Sequence, residues 1–160
     1  MATTSRFPLV RPLAVLAALL ALSPALAQPT LGLIASPFTG GWPDLTLAAS
    51  LPFATYESAE GPVEFAARLD VTLPVDLSAL PAVGLGATGT FVSHDMLQPY
   101  FGLGARLGWL PAPTEALYVT PTLLVGLRVP LDPTWAVRVE GNVAPLQGGF
   151  GVGVGVDLFL

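Results

Sequence analysis

The chain has no cysteine and no lysine, a single histidine, and charged side chains at only 11% of its 160 positions. Each shortage excludes something. Without cysteine there is no disulfide framework and no thiolate zinc or redox centre. Without lysine, and at a formal net charge of −5, there is no basic patch for nucleic acid. An ordinary soluble domain carries about 25% charged residues, so a water-facing surface would be undersupplied. Long apolar runs are also scarce: beyond the N-terminus none reaches the roughly 20 residues of a membrane-spanning helix. Disorder is excluded by a hydrophobic content of 52% and a mean hydropathy of +0.69. What is present is a one-domain length of chain that is apolar in aggregate and not in runs.

Residues 1–27 have the layout of a secretory signal peptide. Arg6 and Arg11 form the basic start, Leu13 to Leu22 the apolar stretch, and Ser23-Pro24 the break. Ala25 and Ala27 supply the small-x-small cleavage site. The apolar stretch is too short to anchor a helix across about 30 Å of hydrocarbon. Cleavage after Ala27 leaves a domain of residues 28–160 with four arginines and eleven acids, a formal charge of −7. An exported, acidic, cysteine-free chain suits a bacterial envelope.

From residue 30 onward the dominant signal is alternation with period two. In the clearest stretch Val63, Phe65, Ala67, Leu69, Val71, Leu73 and Val75 share one face, while Glu64, Ala66, Arg68, Asp70 and Thr72 share the other. A helix would scatter Arg68 and Asp70 among the leucines, so the pattern predicts a strand. Seven further segments behave alike, at about 30–36, 45–53, 82–92, 99–110, 116–129, 134–144 and 149–160. The breaks between them are rich in Pro, Gly and Asp, as turns require. Eight strands with short connections predict an antiparallel up-and-down meander, which must close on itself to hide its edges.

The two faces decide the solvent. One is aliphatic and aromatic. The other is small and polar, with glycines at 84/86, 102/104/108 and 151/153/155, and it carries eight charges: Glu64, Arg68, Asp70, Arg106, Arg128, Arg138, Glu140 and Asp157. Four acids balance four arginines. Turned outward, that face would serve poorly as a water-soluble surface, and the apolar set would overfill an eight-stranded interior. Turned inward, it forms a lumen network of matched charges, and the apolar face meets lipid. Aromatic residues sort by depth in the same sense. Phe53, Phe65, Phe91, Phe101 and Trp135 fall near one strand end, Trp109 and Phe150 near the other, as two aromatic girdles require. The predicted fold is therefore all-β: an eight-stranded antiparallel transmembrane β-barrel. Pro52 and Pro121 lie inside predicted strands, and a bulge, or a sixth strand starting near Thr122, is expected at Pro121.

On these features the chain resembles the small eight-stranded outer-membrane β-barrel proteins of the OmpA transmembrane-domain and OmpX type. The resemblance covers residues 29–160 and rests on architecture. It extends to the C-terminus, where Gly155, Leu158 and Leu160, with Phe159 beside them, match an assembly signal; Gly153 and the final Leu depart from its usual form. It implies outer-membrane localisation, surrounding outer-membrane lipid, passage through the Sec translocon and the barrel-assembly machinery, and a monomer.

Candidate chemistry is sparse. Ser93-His94-Asp95 invites a hydrolase reading, but three adjacent turn residues do not make a triad, because the base must be aimed from elsewhere. Asp44, Glu57, Glu60, Asp76, Asp95 and Asp132 lack calcium-loop spacing and read as solvated turn acids. Gly151 to Gly155 precedes no helix and is no phosphate loop. The reading expects no catalytic residue, cofactor or metal. It gives the barrel a structural, non-enzymatic envelope role with a plugged lumen. A narrow, porin-like pore stands next, then a lipid-modifying hydrolase. The rival outside the membrane is a periplasmic lipocalin-like carrier of an apolar ligand.

Overall fold

The computed structural model describes residues 28–39, 44–75, 81–92, 97–109, 117–145 and 149–160. The signal-peptide reading, with Ala25 and Ala27, and the His94 turn lie outside the described residues, as do Asp76 and Asp95.

Eight strands follow one another: β1 Thr30–Thr39, β2 Asp44–Ser58, β3 Gly61–Pro74, β4 Ala82–Phe91, β5 Gln98–Trp109, β6 Leu117–Pro130, β7 Trp135–Ala144 and β8 Gly149–Phe159. Each pairs antiparallel with its neighbour in sequence, and β1 pairs with β8 to close the barrel. Closure satisfies the backbone groups that an open meander would leave on its edges. One rim carries the start of β1 and the end of β8, and is called the terminal rim; the opposite one is the loop rim.

The alternation sorts side chains as a membrane barrel requires. Leu85, Leu103 and Val125 point outward and are 64–66% exposed, whereas Arg138 and Asp157 are at most 1% exposed. The buried set consists mainly of small, hydroxyl and charged residues, including Ala48, Ala66, Thr46, Thr72, Thr120, Arg68 and Glu140, with Ile34 and Val63 as the larger aliphatic members. Among the described residues the interior is mainly polar, with Ile34 and Leu124 as apolar exceptions, and most large apolar side chains are outside, the reverse of a lipocalin-like carrier with an apolar interior.

Local details depart from the expected pattern. β2 does not end near residue 53 but runs to Ser58. Its turn is set by Gly61, whose φ of 118° favours glycine, and by Ser58 Oγ, which donates to the Gly61 carbonyl at 2.6 Å and accepts from the Glu60 N–H at 3.2 Å. The strand passes Pro52 by a bulge, with the β3 register shifting between Pro52 and Ala54. The bulge expected at Pro121 is absent, and the sixth strand starts at Leu117 rather than Thr122. Pro121 sits opposite Ala105 in an unbroken ladder. β7 joins β6 only from the Leu123–Val143 pair onward, so at Pro121 no described strand on that side requires an N–H. A second register shift lies in β1 against β8, between Ala35 and Phe38. Asp44, read as a turn acid, begins β2 in the inward register of Thr46 and Ala48.

Candidate functional site

Among the described residues, charged side chains gather in the interior. Inward positions of β3 bring Arg68 and Asp70, β7 brings Arg138 and Glu140, β6 brings Arg128, and β8 brings Asp157. These six form one continuous chain of alternating charge: Arg128, Asp157, Arg138, Glu140, Arg68, Asp70. Arg128 Nε donates to Asp157 Oδ2 at 2.9 Å. Arg138 reaches Asp157 Oδ1 through Nε at 2.8 Å and also through Nη2. Arg138 Nη1 lies 3.4 Å from Glu140 Oε2. Arg68 then grips Glu140 with both terminal nitrogens, at 2.5 and 2.9 Å, and turns its Nε to Asp70 Oδ1 at 2.8 Å. The Arg68–Glu140 link joins β3 to β7, two strands that are not neighbours in the sheet, and so crosses the barrel.

This arrangement answers the cost of burying charge. A buried ion whose lone pairs or protons lack partners is penalised by several kcal/mol. Here each fully enclosed carboxylate takes donors from two arginines, and Glu140 takes a further bond from the Tyr100 hydroxyl at 2.9 Å. The planar, forked guanidinium suits such bidentate pairing. Arg128 adds two aromatic contacts, its guanidinium carbon lying 5.8 Å from the ring centres of Tyr100 and of Phe159. Phe159 thus faces Arg128, while Leu158 is half-buried and Leu160 exposed.

Glycines make the room. A Cβ on Gly32 would collide with the Asp157 carboxylate and the Arg138 guanidinium, one on Gly126 with the Tyr100 ring, and one on Gly108 with the Tyr118 ring. Gly86 and Gly104 instead let the backbones of β4 and β5 approach, each lying close to the other's Cα.

The remaining two charges stand apart. Among the described residues neither Glu64 nor Arg106 joins an ion pair. Arg106 borders two small cavities in the loop-rim half, each of about 20 Å³ and both also lined by Arg68, Asp70, Thr122 and Leu124. That is room for about one water molecule apiece. Among the described residues no three His, Cys, Asp or Glu side chains cluster as metal ligands would. The arginines hold fixed charge and saturate the carboxylates, an arrangement suited to cross-bracing the walls. Phe53, Phe101, Trp109, Trp135 and Phe150 are exposed on the outer face; Phe65 and Phe91 are partly covered, and the Phe91 and Phe101 rings lie 6.2 Å apart.

Sequence reasoning missed three contributors. Tyr100 and Phe159 carry no charge and drew no attention as network members. Asp44 was hidden by its place after a Gly-Gly-Trp-Pro turn, although counting back by twos from Thr46 would have found it. Its Oδ1 is buried without a hydrogen-bond partner.

The chain matches no protein-family model and no curated protein. It is similar in structure to a barrel described under "De novo design of transmembrane beta-barrels", with a TM-score of 0.59 at 12% identity over 87% of this chain and 100% of that one. It is similar also to the outer membrane enzyme PagL, with a TM-score of 0.54 at 11% identity over 82% of this chain and 99% of that one. Neisserial surface protein A gives 0.46 at 14% identity, over 83% and 95%. The fold is that of a small transmembrane β-barrel. Identities this low carry the fold alone, and one of these barrels is an enzyme while another is a design.

Proposed function

We propose that this protein is an integral β-barrel of the bacterial outer membrane, of the OmpA transmembrane-domain and OmpX kind, with a structural envelope role and no enzymatic one. In this reading the chain is exported by the Sec route and cleaved after Ala27. The assembly machinery recognises Gly155, Leu158 and Leu160, and the barrel sits in lipid as a monomer with its terminal rim toward the periplasm. The observation that carries the reading is the neutral chain of six charges running from wall to wall. Among the described residues, the two cavities that border it are each of water size, and eight strands enclose an interior just wide enough for side chains to fill.

Planar-bilayer recording tests the plug. The purified protein should add no steady conductance to the bare bilayer. A stable unitary conductance would replace the plug with a narrow pore.

A further inference from the structure

The β2–β3 hairpin leaves a strand edge open at the terminal rim. β1 accompanies β2 only from the Ser36–Asp44 pair to the Thr30–Ser50 pair. β3 follows β2 all the way to the Ser58–Gly61 pair. Over Leu51–Ser58, therefore, β2 has no described strand on the side away from β3. Pro52 lacks an N–H, so the usable edge begins beyond it, at Phe53. Residues 53–57 are all exposed, with Phe53 at 58% and Tyr56 at 64%. The tip is held in strand geometry by the Ser58 and Gly61 turn. A strand needs about 9–11 residues to cross a bilayer, and β2 has 15. The surplus is at the polar end, Thr55 to Ser58, which projects into water if the barrel sits in the membrane as proposed above.

We propose that this edge binds an extended segment of a water-soluble polypeptide as an added strand, by β-augmentation. Such an edge presents a row of backbone donors and acceptors that another extended backbone can pair with along its length. The side chains name the chemistry. Beyond the bulge, Ala54 and Tyr56 lie on one face and Thr55 and Glu57 on the other, and Glu60 follows in the turn; Leu51 to Gly61 contains no base. The fitting segment alternates apolar residues, which pack beside Tyr56, with Lys or Arg, which face Glu57 and Glu60. A second copy is a poor occupant. Two copies in one bilayer share their orientation along the membrane normal, so strands tilted by roughly 35–45° would cross at roughly twice that angle and form no ladder.

The test uses the protein purified in uncharged detergent micelles and a capped seven-residue peptide of alternating Val and Lys. Amide hydrogen exchange is followed over residues 51–58, and binding by the anisotropy of a dye on the peptide. The open-edge amides should exchange quickly in the free protein and slow by about tenfold or more at saturating peptide. The same peptide N-methylated at alternate residues keeps its charge and loses the ladder, and should give no slowing. Glu57→Lys combined with Glu60→Lys should weaken binding about tenfold. Equal binding of the N-methylated peptide would overturn the proposal in favour of charge adhesion alone. So would amides already slow without peptide, which means that another part of this chain covers the edge. Slowing that rises with protein concentration alone would make the occupant a second copy, and unchanged exchange at saturating peptide would remove the site.

Discussion

Asp157 joins Arg128 to Arg138 and is completely buried. Asp157→Asn leaves two guanidinium groups without their shared counter-ion inside the barrel, and should cost about 3–5 kcal/mol in urea unfolding measured in lipid vesicles. Glu64, which faces the same lumen but joins no described ion pair, is the comparison: Glu64→Gln should change stability by about 1 kcal/mol or less. Glycines make a second comparison. At Gly32 a new methyl would meet Asp157 and Arg138, side chains locked by their own bonds. Gly32→Ala should therefore cost about 1–3 kcal/mol in the same assay, as overpacking does. At Gly141 the nearest atoms to a new Cβ are 3.8 Å or more away. Gly141→Ala should be neutral or slightly stabilising, because alanine gives up less chain entropy on folding. Membership of the inward face was legible in the sequence, since within each strand these charges keep to one of the two alternating sets of positions. Pairing within it was not. Arg68 and Glu140 are 72 residues apart, and their meeting depends on the closure and stagger of the barrel, which alternation does not encode.

At the scale of the strand, the sequence located all eight, because polar and apolar residues alternate strictly and the breaks carry turn residues. Ends were less legible. Proline was read as a boundary or a defect, whereas each proline found an edge free of the need for its N–H: Pro52 at a bulge past the end of β1, and Pro121 before the start of β7. Period two also fails at a bulge, which shifts parity by one. That is why β2 faded from view after residue 53. Depth along a strand gives a direct test. Leu103 lies mid-strand in β5 on the outer face. Leu103→Arg should cost roughly 2–4 kcal/mol in vesicles. Tyr56 lies on the projecting end of β2, and Tyr56→Arg should cost roughly 0–1 kcal/mol. Equal costs at the two positions would place both at one depth and remove the projecting hairpin.

For the whole molecule, the decisive property is that the apolar surface faces out while charge is held in. In water such a barrel would expose its aliphatic band and gain nothing from burying ions. In a micelle or bilayer the band is solvated by hydrocarbon, and unpaired backbone or charge exposed to that medium is what becomes costly. Closure and the six-membered ion chain remove both costs together, so barrel and network should form in one cooperative step. Refolding from urea should then occur only with detergent micelles or vesicles present. The folded form should migrate differently from the boiled one on a gel run in mild detergent. Asp157→Asn should lower the temperature at which the folded band disappears, with no band of intermediate mobility. A well-folded monomer in plain buffer would mean that the apolar face is buried after all, and the assignment of inside and outside would have to be reversed.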